Sequence, residues 1–185
     1  MKRYLSSILV IVFTGVLFLL GNQTYAQEVL PVHTEEISFI SQGTRLSGTL
    51  YRPQVSHVAV VLVHGSGQES RMHEFATLLT ASGCSVLTYD KRGVGGSGGI
   101  YVGPESGTNN IDSINLHLLA QDAHAAVNLL KQKQPNLPIG LLGFSQAGWI
   151  IPLAAIENPV VKFMVLFSGP TVTTLEQLRF QFYTA

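Results

Sequence analysis

The chain has a single cysteine, Cys84, among 185 residues. No internal disulfide can form, so the fold must rest on burial of its core. Charge is scarce as well: eleven basic and eleven acidic residues cancel, and charged side chains make up 12% of the chain. No run of lysine and arginine is long enough to track a phosphate backbone, which argues against nucleic acid as a partner. The third shortage is local. The 40 residues after Ser145 contain neither histidine nor aspartate, and all six histidines (33, 57, 64, 73, 117 and 124) lie upstream. No histidine pair at ligand spacing on a helix is accompanied by a carboxylate, and His117 and His124, seven apart, would need further ligands. Neither a metal nor a cofactor is implied.

What is present begins with a leader. "MKRYLSSILVIVFTGVLFLLGNQTYAQEV" carries Lys2 and Arg3, an uncharged apolar core from Ile8 to Leu20, and small residues up to Ala26. This is the pattern of a secretory signal peptide cleaved after Ala26; its core is shorter than the roughly 20 residues that span a bilayer. Residues 1–26 are therefore set apart from the fold. The mature protein is expected to be exported, periplasmic or secreted, with no stable membrane span after cleavage. The remainder, 27–185, is long enough for one domain that buries roughly two-thirds of its unfolded surface. Cys84 opens an apolar run and is expected to be buried and inert.

Along that domain the pattern alternates. "EEISFIS" and "RLSGTLYRP" predict two antiparallel strands with a turn at Gln42–Gly43, since Leu46, Gly48 and Leu50 alternate with polar residues. "HVAVVLVHG" is continuously apolar and β-branched, which suits a central parallel strand covered on both faces. "ESRMHEFATLLTASG" predicts a helix through Met72, Phe75, Leu78 and Leu79, stopped by Gly83. "CSVLTYD" predicts a strand, followed by a glycine-rich loop, "KRGVGGSGGIYVGPESGTNN". "DSINLHLLAQDAHAAVNLLKQK" predicts a long helix with Leu119, Ala123, Ala126, Val127 and Leu130 on one face, capped by Asp112 or Ser113. "LPIGLLGF" and "VKFMVLFSGP" predict buried strands on either side of a helix "QAGWIIPLAAIE" that Pro152 should bend. A last helix starts near Thr173 or Thr174. Strands alternating with helices predict a mostly parallel sheet with helices on both faces.

The chemistry concentrates where "LPIGLLGF" meets "QAGWIIPLAA". Gly143, Ser145 and Ala147 form G-x-S-x-A at a strand-to-helix corner. Such a corner lifts its serine above the sheet with strained backbone angles, and the residues two before and two after must be small. Ser145 is thus a candidate nucleophile. The following N–H, of Gln146, lies at a helix N-terminus and can meet a developing oxyanion. A second donor is expected from the tight loop His64-Gly65-Ser66-Gly67, and the Ser66 N–H is the candidate. His64 is expected to order that loop by hydrogen bonding, not to transfer protons, and Trp149 to pack.

"LVHGSG", "YDKRGVGGSGG" and "GFSQAGWIIPLAA" occur in this order, preceded by "LSGTLYRP". Over about Glu35 to Pro170 the chain resembles the α/β-hydrolase superfamily, in particular secreted serine esterase- and peptidase-like members near the prolyl oligopeptidase and dienelactone hydrolase branches. The resemblance implies an α/β-hydrolase fold, Ser145 as nucleophile, and the Ser66 and Gln146 amides as oxyanion hole. It implies the "DKRGVGGSGG" loop beside the site, with no chemical role for Asp90 or Arg92. It also implies an acid and a histidine after the serine. Only Glu157 and Glu176 follow, and Glu176 sits where some relatives place an acid. The chain stops at "RFQFYTA" inside a helical pattern, so 27–185 is expected to be the N-terminal part of the domain, truncated before later strands that carry the acid and histidine. The activity implied for the whole is hydrolysis of a small carboxylic ester, with a peptidase or thioesterase as the same chemistry on another leaving group. The alternative is a non-catalytic member that binds a ligand in the crevice.

Overall fold

The computed structural model describes residues 32–102, 113–170, 172–173, 175–177 and 179–180. The expected leader, the Asp112 cap and the end of the glycine-rich loop lie outside these residues. Six strands form one sheet: β1 (His33–Ser41), β2 (Thr44–Arg52), β3 (Val58–Val63), β4 (Cys84–Tyr89), β5 (Ile139–Phe144) and β6 (Val161–Phe167). Three helices intervene: α1 (His73–Ala81), α2 (Ser113–Lys133) and α3 (Ala147–Ile156). The sheet order is β1-β2-β4-β3-β5-β6. β2 pairs antiparallel with β1 and β4, while β4, β3, β5 and β6 run parallel. These elements form the mostly parallel sheet with helices on both faces that the alternating pattern predicts, as in the α/β-hydrolase fold that the resemblance implies.

The β1–β2 hairpin turns where expected. Gln42 and Gly43 both have positive φ, 47° and 71°, the backbone of a two-residue turn whose twist matches the flanking strands. β3 shows why its sequence is apolar without alternation. Ala59, Val61 and Val63 face α2 and α3, whereas Val60 and Leu62 face α1, and both sets are buried. A strand with helices on both sides has no solvent face for polar residues.

The helices differ from the sequence reading in detail. α2 buries all five of the residues assigned to its inner face. In α1 the buried positions are Ala76 and Thr80, with Met72, Phe75 and Leu79 packed partly against the sheet, while Leu78 is exposed. The apolar stripe is centred half a turn away from Leu78, because the small residues at 76 and 80 let the helix axis approach the sheet. β6 departs further. It was expected to be buried, but it is the edge strand among the described residues, and Met164, Leu166 and Phe167 are 48%, 41% and 46% exposed. Its composition suits an interior strand; its position leaves one side without a described neighbour. Cys84 is also a correction: it is half-buried rather than buried, and burial pushes its thiol pKa up. A raised pKa keeps the thiol protonated, in line with an inert side chain. No helix among the described residues is long and apolar enough to cross a membrane.

One buried ion pair ties three parts of this fold. Arg92, just after β4, donates from Nε to Asp122 Oδ2 (3.0 Å) and from Nη2 to Asp122 Oδ1. The same guanidinium reaches the Ser41 carbonyl (3.2 Å) and Thr44 Oγ1 at the β1–β2 turn. Asp122 is 1% exposed; burial raises its pKa, and the Arg92 hydrogen bonds partly offset that. Removing one partner strands the other charge. Asp122→Ala is expected to cost about 3–5 kcal/mol in urea unfolding, and Arg92→Met with Asp122→Leu to recover most of it, because paired removal leaves no orphan charge.

Candidate active site

The strand order places a crevice. From β3 the chain crosses by α1 to β4 on one side, then by α2 to β5 on the other, so the order reverses at β3. Loops leaving adjacent strands at such a reversal diverge and open a cleft beyond their carboxyl ends. Three sequence-marked segments leave the sheet there: the 64–72 loop after β3, the 90–102 loop after β4, and the Ser145 corner after β5.

Ser145 has φ 51°, a left-handed conformation that a side-chain-bearing residue rarely adopts. Its N–H donates to the Phe167 carbonyl of β6 (3.0 Å), and its own carbonyl accepts from Gly148 N–H (2.9 Å) to begin α3. The side chain is exposed above the sheet. Gly143 explains how the turn is possible. A Cβ there would sit 2.4 Å from Ala147 Cβ and 2.7 Å from the Val63 carbonyl. Ala147 is fully buried against this bare backbone, so alanine fits at the second small position because glycine holds the first.

The structure brings the Gly65–Gly67 turn against the same corner. A Cβ on Gly65 would lie 3.4 Å from the Phe144 carbonyl and 3.8 Å from Ser145 Cβ. Ser66, between the two glycines, is exposed, and Gln146 is buried with its N–H at the start of α3. The three residues singled out in the sequence therefore share one mouth of the sheet.

His64 lies beneath, 2% exposed. Its Nε2–H donates to the Tyr89 carbonyl (2.5 Å), and its ring meets the Tyr89 ring edge-on at 4.7 Å. Burial lowers its pKa to about 4, so it is neutral and holds the loop, as its sequence context implied. Three other histidines make hydrogen bonds to other groups. His57 precedes β3 at the opposite end of the sheet, with its N–H on the Gly83 carbonyl. His73 pairs with the Tyr51 hydroxyl (2.5 Å), and His117 Nδ1 with the Ser113 carbonyl (2.6 Å). Among the described residues no histidine hydrogen-bonds Ser145.

Asp90 and Glu176 are occupied elsewhere. Asp90 accepts from the Arg71 N–H (3.1 Å), Arg71 Nε (3.3 Å) and the Gly96 N–H (2.9 Å), which shapes its own loop. Glu176 accepts from the Thr173 N–H (3.0 Å) and hydroxyl (2.7 Å), and the Glu176 N–H reaches back to Thr173 Oγ1 (3.3 Å). This reciprocal capping box starts the helical turn at 175; the Thr173 hydrogen bonds lower the Glu176 pKa. Trp149 packs partly on the core and donates from Nε1 to the Val172 carbonyl (3.0 Å).

The residue that the sequence reading passed over is Lys91. It is 2% exposed. Its ammonium donates to the Gly65 carbonyl (2.7 Å), the Gly67 carbonyl (3.0 Å) and Gln146 Oε1 (3.1 Å), and it stands 5.8 Å from the Tyr101 ring centroid. The sequence held no signal for it: a lysine in the loop just past a buried strand can carry its ammonium out to solvent on its long stem.

Two expectations follow from the strained and buried groups. Ser145→Gly should stabilise the fold by about 1 kcal/mol relative to Ser145→Ala in urea unfolding, since glycine adopts positive φ without steric cost. The unfolded chain protonates His64 near pH 6.5 and the folded chain only near 4. Stability is therefore lost as pH falls from about 6.5 to about 4, by at most roughly 3 kcal/mol from this group, and His64→Gln should flatten that part of the profile.

Sequence and structure comparisons agree with this geometry. A family model described as serine aminopeptidase, S33, matches residues 54–182. Human monoglyceride lipase is 27% identical over 147 residues, 75% of this chain and 46% of that protein. The chain thus spans about half the length of the curated relatives it matches. The Pyrococcus furiosus esterase Pf2001 superposes with a TM-score of 0.60 at 25% identity, over 82% of this chain and 58% of that one. Dienelactone hydrolase from Anabaena variabilis gives 0.57 at 23% identity, over 75% and 64%. With the matched model covering well over half of its length, the chain belongs to the serine aminopeptidase S33 family of the α/β-hydrolase superfamily.

Proposed function

We propose that the whole protein is an exported serine hydrolase of small carboxylic esters, working through an acyl-enzyme on Ser145. The observation that carries this reading is the left-handed serine at φ 51° between β5 and α3, with the Gly65–Gly67 turn packed beside it. Maintaining a non-glycine residue there costs of order 1–2 kcal/mol, and such strain gathers where a side chain must be presented to a substrate.

In this mechanism Ser145 Oγ attacks the ester carbonyl while a histidine takes its proton. The Ser66 and Gln146 N–H groups receive the oxyanion. The histidinium returns the proton to the leaving alcohol, and water then releases the acyl group by the reverse sequence. The histidine and its orienting acid are assigned to residues outside these 185. That assignment is supported by the lack of a hydrogen bond from any histidine to Ser145 among the described residues, and by curated relatives of which the chain spans about half. The ester preference is supported by the names of the relatives, a monoglyceride lipase and an esterase. The family description names an aminopeptidase, which favours a second reading in which the same serine cleaves an amide. Export is proposed on the leader at residues 1–26.

Labelling with a fluorophosphonate tests the serine. The full-length gene product should label at Ser145, its Ser145→Ala variant should not, and residues 27–185 alone should label weakly for want of a base. Comparing a p-nitrophenyl ester with an aminoacyl p-nitroanilide then separates the two leaving groups. Faster turnover of the anilide would replace the esterase reading with the peptidase one, and absence of labelling in the full-length protein would remove both.

A further inference from the structure

We propose that Lys91 is the positioning residue of the oxyanion hole, gripping the peptide unit of the Ser66 donor and the side chain of Gln146, the residue that supplies the other donor. The inference rests on the hydrolase reading above and adds a residue to it.

The geometry is specific. The Gly65 carbonyl that Lys91 grips at 2.7 Å belongs to the same peptide unit as the Ser66 N–H. In a trans peptide the C=O and N–H point to opposite edges of one plane. An ammonium on the oxygen edge therefore fixes where the N–H edge faces. The Gly67 carbonyl, at 3.0 Å, closes the other side of Ser66 around the same cation, so the turn cannot swing about either flanking glycine without breaking a charge-assisted bond. The third contact, at 3.1 Å, is to Gln146 Oε1, the side chain of the residue whose N–H is the second donor. One buried ammonium thus reaches both halves of the hole, which come from loops after β3 and β5.

Three features separate this from an ordinary tether. Hydrogen bonding at an amide oxygen polarises the amide and strengthens its N–H as a donor. The charge is buried, so its field acts through protein rather than water on an oxyanion formed in front of those amides. Finally, three convergent oxygens suit the tetrahedral ammonium of lysine, whereas the planar guanidinium of arginine projects its donors in a fork.

The test uses the full-length protein, a short-chain p-nitrophenyl ester and a trifluoromethyl ketone inhibitor, whose tetrahedral adduct places an oxygen in the hole. Lys91→Met is expected to lower kcat by about ten- to a hundredfold with KM changed less than about threefold, short of the ~10²–10³ that follows outright loss of a donor. Inhibitor affinity should fall by the same factor as kcat. Lys91→Arg should recover only part of both. If Lys91→Met does not fold, Gln146→Met removes one of the three ties, and kcat and inhibitor affinity should decline together, by a smaller factor. Wild-type kcat and inhibitor affinity in Lys91→Met would overturn the inference, as would a loss of kcat with inhibitor affinity intact. So would a lowered unfolding midpoint with unchanged kcat in the folded fraction. Failure of the wild type to label at Ser145 removes the hydrolase reading and this inference with it; a labelled wild type with an indifferent Lys91→Met removes the inference alone.

Discussion

The arrangement depends on one close approach, that of the Gly143 backbone to Ala147 and to the Val63 carbonyl. A strand that becomes a helix within three residues folds its chain back on itself, and a Cβ at 143 would lie 2.4 Å from Ala147 Cβ. Without that contact α3 could not start where it does, and Ser145 would have no reason to take positive φ. The strain is local and small beside what holds it. Ile150, Ile151 and Ala154 of α3 are buried in the main core, and burying an isoleucine side chain contributes about 1.5–3 kcal/mol. The Ser145 N–H is also anchored on β6 through the Phe167 carbonyl. The strained residue persists because its neighbours leave it no alternative.

Around that corner the fold uses buried charge as fastening. Asp90, Lys91 and Arg92 are consecutive and all buried, yet each points to a different part of the molecule. Asp90 holds Arg71 ahead of α1, Arg92 holds Asp122 on α2 and the β1–β2 turn, and Lys91 holds the Gly65–Gly67 turn and Gln146. Arg71 in turn donates to Ser47 Oγ and Thr49 Oγ1 on β2, both at 2.8 Å. A charge out of water is tolerable only when its donors and acceptors are met. This hub makes the loop after β4 the place where the antiparallel hairpin, the helices and the serine corner are joined.

Much of this was legible in the chain itself. An unbroken run of apolar, mostly β-branched residues marked β3 as covered on both faces, Gln42–Gly43 marked the hairpin turn, and Gly143–Ser145–Ala147 between an apolar strand and an apolar helix marked the corner. These are signals of short range: a backbone conformation or a periodicity is set within a few residues, so the sequence states it directly. His64 was read as ordering the loop that it opens by hydrogen bonding, and its bond is to the Tyr89 carbonyl.

The rest required the tertiary structure. The sequence determined which segments are strands and helices, which serine stands at the corner, and which loop accompanies it. It did not determine that Leu78 faces solvent, that β6 lies at the edge of the described sheet, or that Lys91 turns inward. Each of these depends on what lies across space at separations of tens of residues, such as the 55 between Lys91 and Gln146. A lysine's reach of several bonds allows many partners. Only the packing of β4 beside β3, and of β3 beside β5, selects the three oxygens that its ammonium meets.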